Sequence, residues 1–207
     1  MNKIKIAVLV SGGGTNLGAL IRAEEDGRLK SGEIALVVSN KADAYALTRA
    51  ENAGIKTVTV LRKDFSSKEA FEEKILSVLS DEGIELIILA GFMCILSEKF
   101  TSAYPKRIIN VHPSLIPSFC GEGFYGLHVH EAALGYGVKV TGATVHYVNE
   151  IPDGGEIILQ KAVEVKDGDT PEVLQRRVME EAEWELLPRA AEIVSEKLQK
   201  EIQNERL

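Results

Sequence analysis

The chain has 207 residues, 24 basic against 31 acidic, a formal charge of −7 and 45% apolar residues, which fits one large domain or two small ones around a full core. The acidic balance and the lack of a long Lys/Arg run argue against a nucleic-acid partner, and no apolar stretch is long enough to span a membrane. No secretory h-region opens the chain, and its two cysteines, Cys94 and Cys120, form no C-x-x-C, so we expect a cytoplasmic protein with reduced thiols, no disulfide frame and no bound metal.

Lys5–Val10 is a short continuous apolar run, the pattern of a strand buried on both faces. Ser11-Gly12-Gly13-Gly14-Thr15-Asn16 follows, and Leu17, Leu20 and Ile21 then recur at helical spacing. Strand, glycine loop and helix N-terminus together form an anion site, because glycine lets the backbone approach and the first helical amides are free to donate. The dinucleotide pattern G-x-G-x-x-G fails at Leu17. The next strand, Ala35–Val38, ends in Ser39-Asn40 rather than an acid, and no Walker Gly-Lys-Ser/Thr is present. The loop therefore suits a single phosphate better than NAD or ATP.

The alternation continues. Residues 42–53 read as a helix stopped by Gly54, and 57–60 as a strand. A helix capped by Ser66-Ser67 runs from Lys68 to Ser80, Gly83 ends it, and 85–90 is another buried strand. Gly91 to Leu96 leads off its end, and Ser97 caps a short helix reaching Tyr104. Residues 107–112 form a strand that Pro113 ends, with Asn110 and His112 on one face and Ile109 and Val111 on the other. A polar amide and an imidazole thus stand at the C-terminal end of a strand, where open α/β sheets bind ligands.

After Pro117, residues 118–126 read as a loop and 127–134 as a helix. Residues 139–149 alternate with Val140, Gly142, Thr144, His146 and Val148 on one face. A turn at 151–155 joins them to a second arm, 156–165, as an antiparallel pair. Thr170-Pro171-Glu172 opens the last helix, which continues past Pro188 as a second segment toward the charged tail. The fold class that follows is α/β: a Rossmann-like, doubly wound, mainly parallel sheet extended by an antiparallel strand pair. With no internal repeat or low-complexity linker, 1–207 reads as one domain, with an N-terminal half of about 1–105 and a C-terminal half of about 106–207.

Three separated stretches, Ser11-Gly12-Gly13-Gly14-Thr15-Asn16-Leu17, Asn110-Val111-His112-Pro113-Ser114-Leu115-Ile116-Pro117 and Asp153-Gly154-Gly155, resemble the 10-formyltetrahydrofolate-dependent phosphoribosylglycinamide formyltransferases. The resemblance runs from the first strand to Pro188. It implies formyl transfer from 10-formyltetrahydrofolate, as co-substrate, to the amine of glycinamide ribonucleotide in purine biosynthesis, and a single formyltransferase domain with a nucleotide half and a folate half. It implies that Asn110 donates to an oxyanion, that His112 donates as imidazolium or acts as general acid, and that Asp153 pairs with His112 and raises its pKa. Gly14, Thr15 and Asn16 match phosphate and ribose contacts. Glu183, five residues before Pro188, matches a glutamate that takes substrate hydroxyls, although the spacing upstream of it is one residue longer than in many relatives.

The same resemblance lays the folate along Met93, Cys94, Ile95 and Leu96, beside Asn110, with Lys68 where relatives often carry an arginine. A lysine lacks the bidentate grip of a guanidinium on a carboxylate. The loop Phe119–Tyr125 is longer than in many relatives, and His128 and His146 match family histidines. The implied partners are the two small molecules, with the protein a monomer or homodimer. Two rivals keep the chemistry and change the acceptor to water or to methionyl-tRNA, and each would bring an extra domain for which this chain has no room. A non-enzymatic rival, a phosphometabolite-binding protein, would not need Asn110, His112 and Asp153 to converge.

Overall fold

The structure is a computed structural model that describes residues 2–204; the end of the charged tail, 205–207, lies outside them. Seven strands form one sheet in the order β3-β2-β1-β4-β5-β6-β7. They are β1 (Ile4–Val10), β2 (Gly32–Ser39), β3 (Lys56–Thr59), β4 (Leu86–Leu89), β5 (Ile108–His112), β6 (Val140–Tyr147) and β7 (Ile157–Glu164). The first five pair in parallel, and β6 and β7 join antiparallel, as the alternating pattern of 139–165 requires.

The parallel strands are apolar throughout because helices cover both faces. Ile6, Val8, Val10, Ile88, Ile109 and Val111 enter one core, while Ala7, Leu9, Ile87, Leu89 and Ile108 enter the other. The first core packs against α1 (Thr15–Glu25), α2 (Tyr45–Asn52), α6 (Pro171–Val178) and α7 (Trp184–Asn204); the second packs against α3 (Lys68–Asp81) and α4 (Glu98–Ala103). Each fully buried Leu or Ile contributes about 1.5–3 kcal/mol. The expected caps form: Ser67, Ser97 and Thr170 accept from the backbone N–H of Ala70, Phe100 and Val173. Each is worth about 1 kcal/mol.

Three details depart from the expectation. The helix read over 42–53 begins only at Tyr45. The strand after the first helix begins at Gly32 rather than Ala35, because pairing with β1 draws Gly32-Glu33-Ile34 into the ladder. The last helix breaks not at Pro188 but in a π turn at Met179–Glu183, and Pro188 lies inside α7. Pro188 has no N–H for the Trp184 carbonyl, and the chain widens just ahead of it.

Chain reversal between β1, with β2 on one side and β4 on the other, opens a crevice at the C-terminal strand ends. The glycine loop leaves β1 into this crevice, residues 90–97 leave β4, and residues 113–126 leave β5 for α5 (Leu127–Tyr136).

Candidate active site

Gly14 precedes α1 in the left-handed region, at φ 69°, and a Cβ there would stand 2.6 Å from the Ala46 Cβ. Only glycine meets both demands. The Gly12 carbonyl accepts from the Ala46 amide at 3.0 Å, and the Gly13 carbonyl accepts from Arg49 Nε at 2.9 Å. The loop is thus anchored through its carbonyls, which leaves its amides and those of the first helical turn for an anion.

In the first turn of α1, Asn16 Nδ2 donates to Glu183 Oε2 at 2.7 Å. Glu183 is the last residue of the π turn Met179–Glu183, whose wider ring takes one more residue than an α turn, and it faces inward. Glu183 is 6% exposed, and burial pushes its carboxyl up to about 7, partly offset by the Asn16 hydrogen bond. Asn16 Oδ1 is buried without a partner among the described residues. A buried acceptor beside a carboxyl group suits the hydroxyls of a sugar. Thr15 Oγ1 donates to the Met179 sulfur at 3.8 Å, a weak bond easily exchanged for a better acceptor.

Asn110 and His112 end β5, and Asp153 reaches them from the β6–β7 turn, held at φ 55°. Two glycines permit that turn: a Cβ on Gly155 would overlap the Tyr147 carbonyl at 1.8 Å, and one on Gly154 would lie 2.6 Å from Ile151. His112 Nδ1 lies 3.4 Å from Asp153 Oδ2. On its other side, His112 Nε2 meets the Phe119 carbonyl at 2.8 Å, and the Gly121 amide donates to Asp153 Oδ2 at 2.8 Å. The backbone of the long 118–126 loop is therefore folded directly onto the imidazole and the carboxylate.

A carbonyl only accepts, so His112 Nε2 carries the proton, and in the neutral ring Nδ1 is bare and faces Asp153. Asp153 acts to raise the His112 pKa, as expected, but the net shift is downward. His112 is 4% exposed, and burial lowers its pKa by more than Asp153 and the Phe119 carbonyl raise it. Burial pushes the Asp153 carboxyl up, but its neighbours His146, His112 and the Gly121 amide together bring it below the usual value. The pair at neutral pH is a neutral imidazole beside a carboxylate, arranged to take up a proton at Nδ1.

On the β4 side, Met93 and Ile95 are exposed at 56% and 54%, while Phe92 and Leu96 pack into the core. Ser11 Oγ accepts from the Met93 amide at 2.8 Å, tying the glycine loop to this segment. Cys94 Sγ accepts from Asn40 Nδ2 at 3.1 Å. Lys68 Nζ lies 3.7 Å from Glu72, whose buried carboxylate also holds the Ser97 amide and hydroxyl. Lys68 is thus linked to the 93–97 segment through Glu72.

The structure brings Asn110, His112 and Asp153 together, and separately Gly14, Thr15, Asn16 and Glu183. His128 stays outside, exposed at the start of α5 and bonded to Glu131. Ser11, the Phe119 carbonyl and His146 were missed as site components. His146 Nε2 lies 3.2 Å from Asn110 Nδ2 and 3.5 Å from Asp153 Oδ1. The alternation of β6 carried a signal for it, but only the strand register sets it opposite Asn110. Among the described residues no group of three or more His, Cys, Asp or Glu could hold a metal ion, and no helix is long and apolar enough to cross a membrane.

The sequence profile of the family described as formyl transferase matches residues 4–191. The phosphoribosylglycinamide formyltransferase of Haemophilus influenzae is 42% identical over 184 residues, covering 89% of this chain and 84% of that protein. The trifunctional purine biosynthetic protein adenosine-3 of Gallus gallus is 47% identical over 94% of this chain, which spans only 19% of that protein's length. Among solved structures, glycinamide ribonucleotide transformylase 1 from Symbiobacterium toebii superposes with a TM-score of 0.88 at 42% identity, covering 94% of this chain and 89% of that one. Phosphoribosylglycinamide formyltransferase from Brucella melitensis superposes with a TM-score of 0.86 at 45% identity, covering 94% and 96%. With the profile spanning nearly every strand and helix that builds the crevice, the chain belongs to the formyl transferase family and, within it, to the phosphoribosylglycinamide formyltransferases.

Proposed function

We propose that the chain transfers the formyl group of 10-formyltetrahydrofolate to the amine of glycinamide ribonucleotide, giving formylglycinamide ribonucleotide and tetrahydrofolate in de novo purine biosynthesis. The observation that carries the reading is the meeting of Asn110, His112 and Asp153, from β5 and a turn more than 40 positions away, at one end of the sheet. A binding protein for a phosphorylated metabolite has no need of that arrangement. In this reading the amine nitrogen bonds to the formyl carbon, the carbon–nitrogen bond to the folate breaks, and one proton passes from the amine to the leaving nitrogen.

The chain's residues divide this work. The Asn110 amide donates to the oxygen that becomes an oxyanion, a contact of the type worth roughly 3–4 kcal/mol of barrier. His112 Nδ1 accepts the amine proton, Asp153 stabilises the imidazolium so formed, and the proton is then released to the leaving nitrogen. Gly14 and Thr15 hold the phosphate, Asn16 and Glu183 the ribose hydroxyls. The exposed Met93 and Ile95 side chains offer an apolar wall to the pteridine, with backbone groups of 93–96, Asn110 and Lys68 completing the folate site. The continuous sheet supports one domain over 1–207, whose nucleotide and folate halves share the crevice. The setting is cytoplasmic, with the two small molecules as partners and a monomer or homodimer as the working unit.

The test is an assay with 10-formyltetrahydrofolate, with and without glycinamide ribonucleotide. Amine-dependent formyl transfer is expected. Deformylation that proceeds equally without the amine would replace the reading by a hydrolase, and no turnover with either acceptor would remove it.

A further inference from the structure

His146 has no part in the chemistry above, yet it touches two of the groups that do. It is 1% exposed, and β6 sets it directly across from Asn110 on β5. Its Nδ1 lies 2.8 Å from the Tyr147 carbonyl, which can only accept, so that nitrogen carries a proton. In that tautomer Nε2 is free to accept. It faces Asn110 Nδ2 at 3.2 Å, with Asp153 Oδ1 on its other side at 3.5 Å.

This arrangement removes an ambiguity that an asparagine alone leaves open. An amide can turn over and present either its oxygen or its nitrogen. Turned the wrong way, Asn110 would put its single oxygen where the amide nitrogen now lies, against both the His146 lone pair and a developing oxyanion. Held by His146, it keeps one N–H on the histidine and the other free to donate. The backbone of β6 thus fixes the histidine tautomer, the histidine fixes the amide, and the amide faces the reacting oxygen. A donor held in place before reaction stabilises developing charge without reorganisation cost.

We propose that His146 is a positioning residue for formyl transfer, fixing which end of the Asn110 amide faces the reacting carbonyl; this rests on the function proposed above. The test is a double-mutant cycle in the formyl-transfer assay, with His146→Phe, His146→Gln, Asn110→Ala and the combined variants, and with thermal unfolding of each. His146→Phe is expected to lower kcat by about 10- to 100-fold, below the full loss of an oxyanion donor, while both KM values stay within about threefold. His146→Gln, whose side-chain oxygen can accept from Asn110, recovers part of the loss. In the Asn110→Ala background, His146→Phe costs less than about twofold, because the group it acts through is gone.

Penalties that multiply in the double variant, or a folded His146→Phe enzyme with wild-type kcat, would overturn the assignment. Should His146→Phe fail to fold, His146→Leu carries the same cycle with the same criterion. A wild-type protein that transfers no formyl group removes the underlying function as well. Transfer by the wild type with multiplying penalties removes only the role of His146.

Discussion

Asn16 and Glu183 stand 167 positions apart in sequence and share a 2.7 Å hydrogen bond in the protein interior. The bond ties the first turn after the glycine loop to the π turn before α7. Glu183→Gln keeps an oxygen to accept from Asn16 and removes the ionisable group. It is expected to raise KM for glycinamide ribonucleotide about tenfold, since a neutral acceptor holds hydroxyls less well than a charged one. The same change alters stability in a definite direction. A carboxyl at about 7 when folded, against an ordinary 4.5 when unfolded, destabilises the ligand-free protein as pH rises from 4.5 through 7. Glu183→Gln should therefore be the more stable protein at pH 8, by up to about 3 kcal/mol, and near parity at pH 4. Urea denaturation at the two pH values measures it.

His112→Ala and Asp153→Ala are each expected to cut kcat by about 10²- to 10⁴-fold with the fold retained. Single-turnover kinetics with circular dichroism on each variant checks this. Near-normal turnover in either would refute the acid–base role.

His130 predicts acid sensitivity. It is fully buried on α5, both ring nitrogens lack partners among the described residues, and burial followed by the His112 charge brings its pKa down to about 4. The unfolded chain takes up that proton at about 6.5, so stability is present above 6.5 and is lost as pH falls toward 4. His130→Leu removes the group, and its unfolding free energy should fall less steeply over that window. Denaturation curves at pH 7 and pH 4.5 compare the two, and parallel losses would exclude His130 as the source.

Ser11→Ala breaks the side-chain tie between the glycine loop and Met93 and removes the acceptor of the Met93 N–H. A hydrogen bond of this kind contributes about 0.5–1.5 kcal/mol. KM for the folate should rise by about 2- to 10-fold with kcat nearly unchanged. A change confined to kcat would show that Ser11 does not support the folate segment.

Much of this molecule is written locally. The two-faced apolar runs of β1 and β4, the alternation of β6 and β7, and the capping serines and threonine are short-range consequences of side-chain size, polarity and backbone freedom. So are the glycine loop before α1 and the Asp-Gly-Gly turn, because each needs conformations that few residues adopt. Chemistry-bearing residues were therefore recognisable one stretch at a time, and the family they resemble is the one to which the chain belongs.

Three features depended on groups meeting across the fold. The His112 pKa falls rather than rises because burial depends on the loop that closes over it, and the approach of Asp153 alone does not reveal that burial. Glu183 lies in a π turn and is buried against Asn16, a contact across 167 positions that no local pattern reveals. His146 meets Asn110 because β6 pairs in one register with β5. Sequence by itself determined which residues could do chemistry and which elements would carry them, since those follow from each residue and its near neighbours. Tertiary structure alone decided their protonation and their partners, since desolvation and strand register are set by atoms far away along the chain.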